Sequence, residues 1–414
     1  MKTIFTFISL FVFLVLGACQ QDDIKNENSV IKVDEKSAQL IEANNDFGLD
    51  IFREIRSESE KENIMISPLS ISVALAMTYN GAEGETKKEM EEALRVAGLS
   101  TDEINASYNM LIKALQSVDD NVVLEIANAI FYADIFQVKP DFITVNKSNY
   151  DAKVESLNFG SPAAVETINN WVADKTHDKI MKIIDNLNDL DRMVLLNAVY
   201  FNGIWSKKFD EEGTKMRNFT KKDGTNKEVP MMSKEDKLDY TANSLFEAIR
   251  LPYGTGQYNM VVMLPPDGKN SQDIIKELTS ENWKKWSDTF QQEEHAVVTM
   301  PRFKFAFDSE LKDVLKEMGM HKAFDPLLAD FSKIADKGDP YISSVIHKSY
   351  IDVNENGTEA AAVTAVIIAI TSAGPDEIPK IYFTVDKPFV FAITEKDTGA
   401  ILFIGEVQNP VYDN

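Results

Sequence analysis

The alternation of apolar and polar residues along the chain predicts a mixture of strands and helices. Short runs rich in β-branched and aromatic residues recur, with apolar residues at helical spacing between them. Strands are predicted at residues 124–132, 193–201, 246–251, 258–264, 296–307, 342–353, 381–385 and 389–393, and helices at 163–175, 271–289 and 309–318. Mixing of this kind, without strict βαβ alternation, predicts an α+β fold.

The first part of the folded domain is predicted to be helical. An amphipathic helix starts at Ser37. Residues 68–79 are apolar nearly all round and end at Asn80-Gly81, which predicts a buried helix. Two more helix starts follow, the second for a helix over residues 101–117. Both have the spacing of a capping box, Thr86 with Glu89 and Ser100 with Glu103.

The stretch from Asp352 to Pro375 carries signals for two different states. Asn356-Gly357 is typical of a turn, whereas residues 358–371 have the β-branched and small-residue composition of a buried strand. One parity carries no charge, namely Thr358, Ala360, Ala362, Thr364, Val366, Ile368 and Ile370. The other parity has its single charge at Glu359. We therefore expect an exposed loop that can also be buried as a strand, with an ordinary central strand as the alternative.

The N-terminus predicts export and a lipid anchor. Lys2 precedes an apolar run over residues 4–16 that is short for a membrane span, as in a signal peptide. Leu16-Gly17-Ala18-Cys19 resembles a bacterial lipobox, so Cys19 is expected to be lipidated and to hold the protein at the outer membrane, facing the periplasm or the cell surface. A plain secretory signal is the alternative. The expected divisions are a signal peptide over residues 1–18, a polar linker over 19–37 and a folded domain over 38–414.

The charge of the chain narrows the choice of partners. Its 414 residues include 43 Lys and Arg against 66 Asp and Glu, a formal net charge of −23. A surface this negative repels phosphate and sulfate, so neither nucleic acid nor a heparin-like polyanion is expected as a partner. The hydrophobic content of 44% is that of a globular protein.

No motif for enzymatic chemistry is found in the sequence. There is no G-x-S-x-G elbow, and Cys19 is the only cysteine, so the folded domain has no thiol nucleophile. The histidines show no metal-binding spacing. They are His177, His295, His321 and His347. We expect neither enzymatic activity nor a metal nor a cofactor.

A series of short motifs, taken in order, carries a family resemblance. The motifs are Ile66-Ser67-Pro68-Leu69-Ser70, Asn128-Ala129-Ile130-Phe131, Ile168-Asn169-Asn170-Trp171-Val172, Leu196-Asn197-Ala198, Gly203-Ile204-Trp205, Val229-Pro230-Met231-Met232, Leu251-Pro252-Tyr253, Met300-Pro301-Arg302-Phe303, His347-Lys348, Asp386-Lys387-Pro388-Phe389 and Gly405-Glu406-Val407-Gln408-Asn409-Pro410. From about residue 38 to the end, the chain resembles the serpins. The resemblance implies one α+β domain with three β-sheets (the large central one called sheet A), about eight to nine helices, and an exposed reactive-centre loop over about residues 355–380.

The resemblance also implies a function and a set of site residues. A serpin loop is cleaved by a serine protease, holds it as a covalent acyl complex, and inserts into sheet A as a new strand. The implied hinge residues are Glu355, Gly357, Thr358, Glu359, Ala360, Ala361 and Ala362. The residues implied to meet beneath sheet A as a structural switch are Ser67, Ser70, Asn197 and His347, and Trp205 is implied to lie where that sheet opens.

The reactive bond determines which protease is expected as the target. Counting from Gly357 by the usual loop length places the bond at Thr371–Ser372. The loop is longer than in many relatives, so Ala369, Ile370 and Ala373 are alternatives. All are small or β-branched and uncharged, which favours elastase-like or subtilisin-like targets. Inhibition of papain-like cysteine proteases and a non-inhibitory role as a binding or chaperone module stay open; a monomer is expected.

Overall fold

The computed structural model describes residues 30–188, 190–359 and 380–412. In this part of the chain, nine α-helices pack around a six-stranded and a nine-stranded sheet. The helices are α1 (Glu35–Glu58), α2 (Pro68–Tyr79), α3 (Gly84–Ala93), α4 (Thr101–Ser117), α5 (Pro140–Tyr150), α6 (Pro162–Lys175), α7 (Ser271–Lys276), α8 (Ser280–Ser287) and α9 (Lys312–Glu317). The strands are β1 (Asn63–Ile66), β2 (Val122–Ala133), β3 (Lys153–Leu157), β4 (Met193–Ile204), β5 (Lys215–Thr220), β6 (Asn226–Ala242), β7 (Glu247–Tyr253), β8 (Tyr258–Leu264), β9 (Gln291–Pro301), β10 (Phe303–Glu310), β11 (Ile342–Asn354), β12 (Gly357–Thr358), β13 (Ile381–Thr384), β14 (Phe389–Glu395) and β15 (Ile401–Val407).

Helix α2 lies at the centre of the molecule. Every one of its residues is buried, as its apolar composition all round predicts. Pro68 stands at the first helical position, where its fixed φ and missing N–H suit a helix start. The helix packs against β2 and β4 of the six-stranded sheet and against β15 of the nine-stranded sheet. Residues at its N-terminus are thereby held against the inner face of the six-stranded sheet.

The six-stranded sheet has the strand order β10-β11-β12-β4-β2-β3. Its central strands β4 and β11 also pair directly and in parallel. Beyond these pairs the two strands separate, and the two-residue strand β12 lies between them, antiparallel to both. Helix α6 packs against β2 and β4 of this sheet, with Ile168 and Val172 buried.

The nine-stranded sheet has the order β1-β15-β14-β8-β7-β6-β9-β13, with β5 also paired to β6. The 17-residue strand β6 pairs with β5 and β9 along most of its length and with β7 at its C-terminal end. It therefore joins two sets of strands into one hydrogen-bonded network. The two smaller sheets that the family resemblance implies are thus continuous through β6.

Two elements are divided differently from the prediction. Residues 296–307, predicted as one strand, form β9 and β10 in different sheets. The break is at Arg302, whose backbone N–H donates to the carbonyl of Pro230. Residues 271–289, predicted as one helix, form α7 and α8, because the chain leaves helical geometry near Glu277 and the side chain of Thr279 caps a new start.

One predicted capping box is confirmed and the other is wrong. Ser100 and Glu103 form both reciprocal bonds at the start of α4. Thr86 and Glu89 lie inside α3 and are used for tertiary contacts instead. The Thr86 hydroxyl accepts the N–H of Asp330, and the Glu89 carboxylate binds Lys322.

The packed part of the chain starts before the predicted boundary at residue 38. Helix α1 begins at Glu35 and is capped by Asp34. Ile31 is buried in the core, and its N–H donates to a carboxylate oxygen of Asp397 at 2.9 Å. Residues 31–37, expected as linker, thus contact the folded domain. None of the helices among residues 30–188, 190–359 and 380–412 is long and apolar enough to cross a membrane.

Candidate functional site

The central strands of the six-stranded sheet meet along a short parallel pairing. The pairing is called the seam here; it joins residues 193–199 of β4 to residues 342–349 of β11. An irregularity interrupts it between Ile342 and Ser344. Parallel strands so far apart in sequence depend entirely on tertiary packing for their contact, and parallel pairing is slightly weaker per residue than antiparallel pairing. Strands β2 and β3 also pair in parallel, but they are neighbours in sequence, so within the described residues the seam is this sheet's one parallel pairing between distant segments.

Four predicted switch residues come together at the middle of the seam. His347 on β11 lies directly opposite Asn197 on β4. The backbone N–H of Ser67 donates to His347 Nε2 at 3.1 Å, and the hydroxyl of Ser70 donates to Asn197 Oδ1. All four residues are buried. Two elements that contribute to this polar cluster, β4 and β11, would move apart if the seam opened.

A fifth member of the polar cluster, Asn128, was missed by sequence reasoning. The side-chain amide of Asn197 donates to Asn128 Oδ1 at 2.7 Å, and Asn128 is also buried. Asn128 lies within a predicted strand, where an amide at a core-facing position is unusual and was the available signal. The cluster thus extends over β2, β4, β11 and the start of α2.

His347 is held neutral by its surroundings. Burial lowers the pKa of this imidazole to about 3. Because Nε2 accepts the N–H of Ser67, the single proton of the neutral ring lies on Nδ1, which faces Asn197 Oδ1 at 3.3 Å. The histidine therefore acts as a hydrogen-bonding connection between α2 and the seam, with no proton-transfer role indicated.

The hinge of the predicted loop already occupies the opening above the seam. Gly357 pairs with Ile204 and Thr358 with Gly203 on one side, and the same two residues pair with β11 on the other. A Cβ on Gly357 would lie 2.1 Å from the carbonyl oxygen of Gly203, so only glycine fits here. Thr358 is buried, and its hydroxyl shares a hydrogen bond of 2.6 Å with the phenol of Tyr253. Thr358 is therefore already paired into the six-stranded sheet in this structure, and the residues after it would be the next to enter the sheet.

An aromatic pair closes the wide end of the opening. The rings of Trp205 and Tyr253 are stacked, with centroids 4.2 Å apart and an interplanar angle of 13°. Trp205 Nε1 donates to the carbonyl of Asn354 at 2.8 Å. Below them Lys234, another residue that sequence reasoning missed, is buried with Nζ 4.8 Å from the ring of Phe209. Burial lowers the pKa of Lys234 to about 8.

Comparison with known proteins identifies the family. A family model described as serpin (serine protease inhibitor) matches residues 42–410. This chain belongs to the serpin family. An uncharacterized serpin-like protein of Methanosarcina acetivorans is 33% identical over 98% of this chain and 97% of its own length. Iripin-5 of Ixodes ricinus is 36% identical, covering 89% and 94% of the two chains.

Solved structures give the same assignment. The thermophilic serpin tengpin in its native state superposes with a TM-score of 0.83 at 34% identity, covering 92% of this chain and 96% of tengpin. Protease nexin-1, crystallised in its native state with heparin, superposes with a TM-score of 0.81 at 30% identity, covering 90% and 100% of the two chains. The predicted single-domain α+β serpin fold is confirmed, and its sheet A is the six-stranded sheet.

An ion pair between the buried Glu355 and the partly exposed Arg302 fixes the beginning of the serpin hinge. Glu355 accepts from Arg302 at 2.7 Å through Nε and at 2.6 Å through Nη2. The hydroxyl of Thr214 donates to the same carboxylate oxygen. Sequence reasoning assigned Glu355 to the hinge but did not identify these partners, since Arg302 is 53 residues away and lies where one strand was predicted instead of two.

The structure describes only part of the predicted hinge and loop. Glu355, Gly357, Thr358 and Glu359 are described, and Trp205 lies at the opening as the resemblance implies. Several predicted residues lie outside the described residues. They are Cys19, Ala360, Ala361, Ala362, Ala369, Ile370, Thr371, Ser372 and Ala373. Within the described residues, no group of three or more His, Cys, Asp or Glu side chains is placed to hold a metal ion.

Proposed function

We propose that this serpin is an irreversible suicide-substrate inhibitor of serine proteases. The observation that carries the proposal is the partly filled opening in sheet A, where β12 pairs with β4 and β11 above a seam that has no strand in it. A strand that has begun between two others needs no new nucleus to continue, since each further residue adds hydrogen bonds on both sides. Cleavage of the loop would release its N-terminal part to do so.

The register of β12 supports insertion of the segment that follows it. Thr358 lies opposite Val353 of β11 and Gly203 of β4. Extending either register places residue 364 opposite His347 and, independently, opposite Asn197. Thr364 would then bring a hydroxyl between the two polar side chains that face each other across the closed seam. A hydroxyl at this position replaces the hydrogen bonds that opening the seam removes.

The same register agrees with the parity of the loop sequence. In β11 the odd-numbered residues from Val345 to Val353 are buried and the even-numbered ones are partly exposed. Antiparallel pairing would therefore point the even-numbered residues of the loop at the core, and these carry no charge between Thr358 and Ile370. The strand would reach Ile342, at the start of the seam, at residue 369. A bond cleaved at Thr371–Ser372 would thus be carried to the far end of the sheet.

Target choice rests on the uncharged residues around the proposed bond. Thr371 and its neighbours Ile370, Ala369 and Ala373 are small or β-branched, and Lys380 is the first basic residue of the loop. A pocket that holds Lys or Arg by a buried acid gains nothing from such side chains, whereas a small apolar pocket accepts them. We propose elastase-like or subtilisin-like targets.

A protease panel tests the proposal. The protein is incubated with elastase, subtilisin, trypsin and papain, and the products are separated on a denaturing gel. We expect a stable complex with elastase or subtilisin and a new N-terminus at Ser372 by mass spectrometry. Cleavage without complex would support a non-inhibitory serpin, and a complex with papain alone would redirect the proposal to cysteine proteases.

A pair of loop variants locates the reactive bond. Thr371→Arg is expected to make the protein an inhibitor of trypsin, because the new side chain would enter the trypsin specificity pocket. Ile370→Arg is the matched control and is expected to create a weaker trypsin inhibitor. A stronger effect of Ile370→Arg would move the bond by one residue.

Export and lipid attachment are proposed for the N-terminus. The lipobox-like Leu16-Gly17-Ala18-Cys19 supports a diacylated Cys19 that holds the domain at the outer membrane. Labelling of cells with palmitate is expected to mark the natural protein and not the Cys19→Ser variant. Labelling of both would contradict the proposal, and protease digestion of intact cells would distinguish the cell surface from the periplasm.

A further inference from the structure

The last described hinge residue, Glu359, has its carboxylate on the outer face of sheet A. Its side chain is only 7% exposed, although Glu is rarely buried without a partner. Burial raises the pKa of the Glu359 carboxyl. The hydrogen bond and charge of Lys179 lower this pKa, and the nearby charge of Asp352 raises it further. Two carboxylates therefore lie close together at the point where the hinge enters the sheet. Lys304 lies 3.6 Å from Asp352, and the buried Glu359 needs a cation of its own.

Lys179 supplies that cation. Its Nζ lies 2.7 Å from Glu359 Oε1 and 5.7 Å from the centre of the Tyr350 ring. Lys179 belongs to the segment that follows helix α6, and buried residues fix this segment. The Thr176 hydroxyl accepts the N–H of the buried Ile180 at 3.1 Å. The ammonium group is therefore held over the hinge by the same segment that covers the sheet.

We propose that Lys179 is a positioning residue for loop insertion: it is the counter-ion that holds Glu359, and with it β12, in sheet A. Without Lys179 the buried Glu359 carboxylate would lose its ion-pair partner beside Asp352, whose own partner is Lys304, and it would gain free energy by moving into water. Movement of Glu359 away from the sheet pulls on Thr358 and Gly357, which precede it directly. The hinge would then have to form its first pairs again before insertion.

The opposite role, a latch that delays insertion, fits the geometry less well. The backbone N–H of Glu359 already donates to the carbonyl of Asp352 at 2.7 Å, as in the β12 register. Insertion requires Glu359 to leave its left-handed conformation, with φ of 60°, for an extended one. The side chain stays on the outer face in either case, so the ion pair with Lys179 does not need to break.

Hydrogen exchange in the free protein tests the inference without any protease. Lys179→Met is expected to speed amide exchange in the peptide covering residues 355–359 by about tenfold or more, because a buried charge loses its partner. The matched control is Lys175→Met at the end of α6, an exposed lysine that forms no ion pair with any of the described residues. It is expected to leave exchange unchanged.

A double variant separates the charge effect from a loss of packing. In Lys179→Met with Glu359→Gln both charges are gone, and hinge exchange is expected to return close to that of the natural protein. Unchanged exchange in Lys179→Met, or failure of Glu359→Gln to restore it, would overturn the inference.

Inhibition kinetics provide the second measurement, which rests on the proposed function. Lys179→Met is expected to raise the number of inhibitor molecules consumed per protease at least twofold, with the association rate constant unchanged, because insertion slows while loop recognition does not. A lower stoichiometry would show a latch and overturn the inference. If no protease forms a complex, the proposed function fails, while the exchange experiment still decides the role of Lys179.

Discussion

The seam of the six-stranded sheet and the β14–β15 pair of the nine-stranded sheet are both buried, but they are built from different side chains. Every residue of β15 is buried, and most are apolar. Its one charged residue, Glu406, is paired with the buried Arg56 and bonded to Ser271 and Gln272. At the seam, by contrast, His347 and Asn197 face each other with Ser70 and Asn128 around them.

This difference indicates which sheet can change and which one stays. Separating β14 from β15 would break antiparallel hydrogen bonds and expose apolar surface to water, with nothing to replace either. Separating β4 from β11 breaks bonds that a new strand of suitable register can make again. Buried polar groups at the seam would find new partners on an incoming strand, whereas Glu406 in β15 already has all of its partners within the folded domain.

Cleavage of the loop is expected to give the largest effect that distinguishes the two sheets. A strand over residues 359–369 would add about ten backbone hydrogen bonds at ~1 kcal/mol each, which corresponds to a rise in melting temperature on the order of 10 °C for a domain of this size. Calorimetry on intact protein and on protein nicked near Ile370 measures it. Equal melting temperatures would mean that the seam does not open. The difference between the seam and the β14–β15 pair would then have no role in function.

Two neighbouring alanines sharpen the comparison. In the β12 register, Ala362 would point to the core between Ser349 and Val199, both buried, and Ala361 would point outward beside Tyr350 and Tyr200, both partly exposed. Ala362→Glu is therefore expected to abolish the rise in melting temperature that follows cleavage of the loop. It is also expected to turn the inhibitor into a substrate, since an unpaired buried carboxylate costs several kcal/mol. Ala361→Glu, the matched control, is expected to keep most of the rise in melting temperature and most of the inhibitory activity. Equal behaviour of the two variants would show that the register is wrong.

The pH dependence of stability is expected to give the smallest of these effects. The pKa of His347 is about 3 in the folded protein, below the usual 6.5, so between these values the unfolded chain binds a proton that the folded chain does not. The contribution of His347 is present above pH 6.5 and is lost as the pH falls toward 3, at about 1.4 kcal/mol per pH unit.

Urea unfolding of matched variants at pH 7 and pH 5 measures this contribution. Between pH 7 and pH 5, the free energy of unfolding of His347→Gln is expected to fall by about 2 kcal/mol less than that of the natural protein. Leu402→Ala in β15 is expected to lose ~2–5 kcal/mol equally at both values, because its cost comes from a cavity and not from a titrating group. An unchanged pH dependence in His347→Gln would remove the titration argument and leave the geometry of the polar cluster intact.

Position 358 shows how the structure changes an expectation drawn from sequence. From the sequence alone, introducing a charge at Thr358 is a natural test of loop insertion, because this residue begins the uncharged parity. In the structure Thr358 is already buried and bonded to Tyr253, so Thr358→Arg would destabilise the starting state as well as any inserted state. The adjacent pair Ala361 and Ala362 separates these two effects.

The sequence alone was sufficient to predict many of the elements correctly. Strand β8 was predicted with its observed ends, α2 was predicted as buried, and the Ser100–Glu103 capping box is present. These features depend on residues close together in the chain, where periodicity and capping act. The family, too, was recognisable from short motifs in order.

Only the tertiary structure decided which groups meet. The pairing of Asn197 with His347, of Glu355 with Arg302 and of Glu359 with Lys179 joins residues 53 to 180 positions apart. Local patterns determine which face of a strand is buried, but they do not determine which strand lies beside it, because that choice depends on the packing of the whole domain. For the same reason, Thr86 and Glu89 have the spacing of a capping box in the sequence, but in the fold their side chains make long-range contacts.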